Sequence, residues 1–283
     1  MIYIKQTIFT LIFIFFCLLA NAQNGLENIV VEKYYISDIN DTKTDSINGI
    51  LPVGSVTYRV YADMLPGYRF QAAFGIPGHE LRIATSTRFF NNQDRGNIIP
   101  NLIPDNNLKD NTVMLDSWLS VGAASSGNFG IIKEDDDVAK TIVHENPFLQ
   151  SENPDAGIPV KLRDGLIAGV PSRVTVFGID TAIKIFNNQT NGSVFSTTNG
   201  SWACLKGSVG PDTITNKVLI AQLTTDGVLS FELNIQIGTP QGGIERYVAK
   251  NPVESEIQLS ALTYKSEAMK QKIAKTKHSK KKN

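Results

Sequence analysis

The chain is nearly free of cysteine: Cys17 and Cys204 are the two in 283 residues. Cys17 lies in an N-terminal leader, so once that leader is cut no internal disulfide can form. An exported chain of this kind is held by core packing, which its length permits. Histidine is also scarce, at positions 79, 144 and 278. The run "HELRI" opens like the zinc motif HExxH, but Ile83 stands where the second histidine belongs. His79 and His144 therefore read as polar residues of a turn and a strand end, and zinc is not expected. There is no Gly-x-Ser-x-Gly elbow and no phosphate-cradling Gly-Lys-Ser/Thr loop. Cys204 alternates within a strand-like stretch and reads as a small buried apolar residue. Beyond the leader there is no long apolar run, so no transmembrane span is expected in the mature chain.

Residues 1–22 read as a signal peptide. Lys5 precedes the apolar run Ile8 to Ala20, and Ala20-Asn21-Ala22 supplies small residues before a cut after Ala22. Phe16 before Cys17 argues against a lipoprotein. The formal net charge of zero hides an asymmetry. Residues 265–283 hold eight lysines and one glutamate, while residues 23–264 carry a net of −8. An acidic body is followed by a basic tail.

The body announces strands by period two. In "VTYRVYAD", Val56, Tyr58, Val60 and Ala62 face one way; Thr57, Arg59, Tyr61 and Asp63 face the other. Pro66-Gly67 suits a type II turn, and "YRFQAAFG" then alternates again, so the two runs read as a hairpin. "ELRIATS" gives a third strand. "KVLIAQLTT", Asp226-Gly227 and "VLSFELNIQIG" read as a second hairpin. "NIVVEKYYIS", "TVMLDSWLSVG", "RVTVFG", "AIKIF" and "SWACLKG" are further strand candidates, separated by loops rich in Asn, Asp, Gly and Pro. The expected fold class is all-β: an antiparallel β-sandwich or jelly-roll-like domain over residues 23–264, followed by a disordered lysine-rich tail over 265–283. "DSWLSVG" echoes "GSWACLKG", which keeps two lobes as the alternative to a single domain.

"TYRVYADMLPGYRFQAAFG", "DSWLSVG" and "VLIAQLTTDGVLSFELNIQIG" resemble, in that order, a group of uncharacterised secreted β-rich proteins common in Bacteroidota. The resemblance covers most of residues 25–264. It implies export and brings no activity with it. Many relatives continue into a C-terminal sorting domain for type IX secretion; the lysine tail stands in its place here, which gives weight to a periplasmic endpoint beside the outer surface and the extracellular space.

Three kinds of site candidate follow. Tyr61, Trp118 and Trp202 are rings able to face a sugar or peptide, against the alternative that the tryptophans anchor the core. Asp38, Asp41 and Asp45, and the run Glu134, Asp135, Asp136 and Asp137, offer hard oxygen ligands to calcium; the alternative is solvated acidic loops. No other cofactor is indicated. Lys277, Lys280, Lys281 and Lys282 offer salt-sensitive contacts to anionic polymer, without sequence-specific nucleic-acid recognition. The leading functional expectation is an exported noncatalytic binding module of the cell envelope or surface, with glycan or protein as ligand. A glycan-active hydrolase using loop carboxylates and a purely structural envelope protein are the rivals.

Overall fold

The computed structural model describes residues 24–39, 41, 51–110, 112–133, 142–145, 148–151, 165–187 and 192–268. Strands β1 Leu26–Ile36, β2 Val56–Met64, β3 Arg69–Gly75 and β4 Leu81–Thr85 open the fold. Short 3-10 turns at Pro100–Leu102, Asp105–Asn107 and Val113–Leu115 lead to β5 Trp118–Leu119 and β6 Asn128–Gly130. Next come β7 Ile142–Glu145, β8 Phe148–Ser151, β9 Leu166–Ala168 and β10 Thr175–Phe177. After a 3-10 turn at Ala182–Phe186 follow β11 Val194–Thr197, β12 Gly200–Ser208, β13 Lys217–Thr225, β14 Leu229–Glu232 and β15 Asn234–Gly238. β16 Ile244–Val248, β17 Glu256–Gln258, a turn at Ser260–Leu262 and β18 Thr263–Lys265 complete it. The architecture is all-β, as the alternation predicts. No helix among the described residues is long and apolar enough to cross a membrane.

Three larger sheets carry the fold. Sheet I has the order β1-β2-β13-β5, sheet II β10-β12-β3-β15-β16-β17, and sheet III β11-β4-β14-β18. All their pairings are antiparallel except that of β16 with β17. β6 with β9 and β7 with β8 form two small ribbons. Sheets II and III are joined along one line, which three runs of chain cross in register: β3 into β4, β11 into β12, and β14 into β15. At that line a Cβ on Gly75 would stand 2.0 Å from the Thr197 carbonyl oxygen, so the strands close up only because residue 75 has no side chain. One core joins all three sheets: Val60 and Val218 from sheet I, Phe70 and Trp202 from sheet II, Ile83 and Phe231 from sheet III.

The run from Leu229 to Ile237 behaves as its alternation predicts, with Leu229, Phe231, Leu233, Ile235 and Ile237 all buried. At about 1.5–3 kcal/mol per fully buried large side chain, it is a major contributor to stability. Its polar set includes one surprise, Asn234, which is buried.

Neither expected hairpin is one. β2 lies in sheet I and β3 in sheet II; β13 lies in sheet I and β14 in sheet III. The turn at Pro66-Gly67 has the expected chemistry, with Gly67 at φ +86° and the Tyr68 N–H bonded to the Leu65 carbonyl. Its strands nevertheless separate, because each finds a partner distant in sequence. At Asp226-Gly227 the glycine has no positive φ. A Cβ there would meet the hydroxyls of Thr85, Thr87 and Ser86 at 2.5, 2.5 and 2.8 Å, and the Gly227 N–H bonds Thr225 Oγ1 at 3.0 Å. "AIKIF" is a 3-10 turn rather than a strand, burying Ile183, Ile185 and Phe186 together. Most of "TVMLDSWLSVG" is likewise turn, with β5 only two residues long.

Candidate functional site

Register builds the most charged feature of the interior. On sheet I, Glu32 of β1 pairs with Arg59 of β2, Arg59 with Gln222 of β13, and Gln222 with Trp118 of β5. These four lie in one transverse row. They occupy the face opposite the main core, where period two alone leaves polar residues in water. Here that face is roofed by residues 98–133 and 165–168, and all four side chains are buried. A second apolar cluster shares the space, with Tyr34, Tyr61, Trp118 and Leu219 below and Met114 and Leu166 above.

The polar groups are spent on the roof's backbone. Arg59 Nε donates to Gln222 Oε1 at 2.9 Å, and Nη1 donates to the Gly165 carbonyl at 2.8 Å. The guanidinium carbon stands 3.6 Å from the Tyr34 ring centroid. Gln222 Nε2 donates to the carbonyls of Met114 and Asp116, at 2.9 and 2.7 Å. Glu32 Oε1 accepts the Lys133 N–H at 2.7 Å. Tyr61 Oη lies 2.7 Å from the Ile131 carbonyl and 3.1 Å from Glu32 Oε2. A phenol has one proton for those two acceptors. The Tyr61 hydroxyl is thus shared between the Ile131 carbonyl and the Glu32 carboxyl. Burial pushes the Glu32 carboxyl up; Arg59, the Lys133 N–H, the Lys133 side chain and Tyr61 pull it back without cancelling the rise. Burial alone would lower Arg59, but Tyr34, Tyr61 and Glu32 outweigh it and hold the guanidinium charged.

Three further carboxylates do similar structural work. Asp116 is buried and accepts the N–H groups of Asn92 and Asn97 at 2.8 and 2.7 Å, fixing the loop between them. Burial holds its carboxyl well above the usual range. Asp105 accepts from Ser125 Oγ and the Gly127 N–H at 2.6 and 2.8 Å. Burial by itself would raise Asp105, yet those donors, with Ser126 and Asn128, leave it lowered. At the line joining sheets II and III, His79 Nε2 meets Glu256 Oε2 at 3.0 Å, with both side chains buried. His79 is therefore no surface turn residue: the Pro77-Gly78 turn folds it inward against β17. Asn234 Nδ2 sits beside it, within 3.3 Å of the carbonyls of Phe74, His79 and Glu80.

Of the rings singled out in the sequence, Tyr61 and Trp118 belong to the buried cluster under the roof of sheet I and Trp202 to the main core. Tyr61, Trp118 and Trp202 are 0%, 2% and 0% exposed, so no ring face among them is open to a ligand. Trp202 packs edge-on to Phe195 at 6.0 Å and donates Nε1–H to the Ser120 carbonyl at 3.1 Å. The core-anchor alternative describes both tryptophans. Cys204 is buried in the main core, as expected. Asp41 is buried, accepting the Asp38 N–H at 2.6 Å and the Tyr35 hydroxyl at 3.2 Å, and burial raises its carboxyl to about 6. Asp45, Glu134, Asp135, Asp136, Asp137, Lys277, Lys280, Lys281 and Lys282 lie outside the described residues, as do residues 1–22, the expected signal peptide, and the side chain of His144. No group of three or more His, Cys, Asp or Glu side chains converges as a metal site among the described residues.

The outer face of sheet II presents polar side chains to solvent, with Arg246 exposed and Gln71 and Gln236 part-exposed. Across it Arg246 Nε donates to Gln236 Oε1 at 3.1 Å, and Gln236 Nε2 donates to Gln71 Oε1 at 2.9 Å, forming a ladder over β16, β15 and β3. Nothing in the alternation singled these residues out. Their signal is weak, since a glutamine on a wet strand face is ordinary until register aligns two of them with an arginine. No protein-family model matches this chain, and comparison with curated proteins and with solved structures finds no match.

Proposed function

We propose that the chain is an exported, noncatalytic interaction module of the cell envelope or surface, built as an antiparallel sandwich and binding glycan or protein. One observation carries the reading. The buried ionisable side chains Glu32, Arg59, Asp116 and His79 lie beneath the roof of sheet I or at the sheet junction. There they hold loop backbone or, for His79, the Glu256 carboxylate, while the outer face of sheet II presents polar side chains to solvent. Export and membership of a Bacteroidota group rest on the leader and on the sequence resemblance. The experiment immobilises the mature chain on a glycan array and exposes it to envelope proteins. In parallel it incubates the soluble chain with a panel of polysaccharides and measures released reducing ends. Saturable retention without product release is expected. Product release abolished by a single Asp or Glu substitution would instead make the chain a hydrolase.

A further inference from the structure

The outer face of sheet II has a definite chemical character. The Gln71–Gln236–Arg246 ladder occupies its middle, and Gly238 beside it carries no side chain. Arg69 is exposed opposite Gly238. It runs along the β12 bulge, where a Cβ on Gly207 would meet Arg69 Cβ at 2.7 Å. That bulge also lifts Lys206 into solvent. Arg69, Lys206 and Arg246 form no ion pair among the described residues. The carboxylates of Glu256 and Glu245 have partners elsewhere. Glu256 pairs opposite Arg246 along the strands, yet its carboxylate meets His79 at 3.0 Å and the Val253 N–H at 2.9 Å. Glu245 accepts the Gly25 N–H at 3.0 Å and the Tyr247 hydroxyl at 2.5 Å. Three cations thus flank a row of carboxamides and form no ion pair among the described residues, although the body as a whole is acidic.

We infer that this face binds an acidic polysaccharide, a reading that rests on the interaction-module proposal and narrows its ligand. Guanidinium forks and an ammonium suit the carboxylates of a uronic acid chain. The ladder leaves both N–H donors of Gln71, one of Gln236 and a lone pair on each amide oxygen for sugar hydroxyls. A protein partner fits less well. Stable protein interfaces put apolar anchors at the centre and polar groups at the rim. Here the order is reversed: the centre is polar, and the exposed apolar residues Phe177, Leu205 and Ile244 belong to the edge strand β10, the bulge and the start of β16.

The test is affinity electrophoresis of the full chain through gels containing polygalacturonate, dextran or poly-glutamate at about 0.15 M salt. Polygalacturonate should retard the chain and dextran should not. Arg69→Ser with Arg246→Ser should weaken retardation about tenfold or more, as should Gln71→Ala with Gln236→Ala. These positions are at the surface, so an unchanged melting temperature confirms folding of each variant. A tail variant with Lys277, Lys280, Lys281 and Lys282 changed to Gln should keep its polygalacturonate retardation. Four outcomes would overturn the inference: equal retardation by dextran; poly-glutamate bound as tightly as polygalacturonate, which would give the face to acidic proteins; loss of binding in the tail variant but not the face variants; or no retardation at all. If the array then finds a different ligand, the module reading survives and only this assignment of the face fails.

Discussion

At the scale of single residues, the decisive feature is that Arg59 and Glu32 are buried side by side and tied to the roof. Removing one member of such a pair costs more than removing both, because the survivor is left charged and dry. Arg59→Met should therefore lower stability by roughly 3–5 kcal/mol, measured by urea unfolding. Adding Glu32→Leu to it should recover part of that loss, giving a coupling energy of roughly 0.5–3 kcal/mol in a double-mutant cycle. Additive losses would mean that the two side chains act independently. The sequence placed Arg59 and Tyr61 on the correct face of β2, opposite Val60. It could not show that this face is covered, because the stretch before Thr112 reads as a polar loop whose Ile103 and Leu108 are too sparse to announce a layer, and Met114 stands in a strand candidate.

At the scale of elements, the strand joining sheets II and III turns on Asn234. Its amide serves the carbonyls of Phe74, His79 and Glu80, and its Oδ1 lies 3.4 Å from the Ala249 N–H. Asn234→Leu keeps the volume and strands those groups without partners. We expect a loss of roughly 1–3 kcal/mol, with faster hydrogen exchange at Ile76, His79 and Ala249. A change confined to global unfolding, with no local rise in exchange, would contradict that role. Strand positions such as Leu26–Ile36 and Val56–Met64 were legible because period two reports faces directly. Strand partners were not, because a turn dipeptide describes four residues and says nothing of where the next strand pairs. Pro66-Gly67 kept its turn type and still sent β3 to another sheet. The polar ladder on sheet II was less legible again. Gln71, Gln236 and Arg246 are separated in sequence, and they meet only once β3, β15 and β16 are aligned.

At the scale of the whole molecule, buried carboxyls set the response to acid. A carboxyl with a higher pKa in the folded chain holds its proton more tightly there. Its contribution is complete below the unfolded value and fades as pH rises through the folded one. Glu32, Asp116 and Asp41 are all raised, Asp41 from 3.8 to about 6. Asp105 is lowered, so its contribution is lost only as pH falls below its ordinary value of 3.8. The melting temperature should therefore climb as pH drops from 7 toward 5 and decline under stronger acid. Asp41→Asn should flatten the climb between 3.8 and about 6. A melting temperature that falls steadily from pH 7 to pH 5 would contradict this balance.

The departure of β3 and β14 for another sheet after the Pro66-Gly67 and Asp226-Gly227 turns has a kinetic consequence. β2 waits for β13, and β4 waits for β14, each across more than a hundred residues. Contacts this remote make for slow, late folding. A chain threaded end-first through a narrow passage would offer no finished β2–β3 ribbon to jam it, and it would lock only when its second half had arrived.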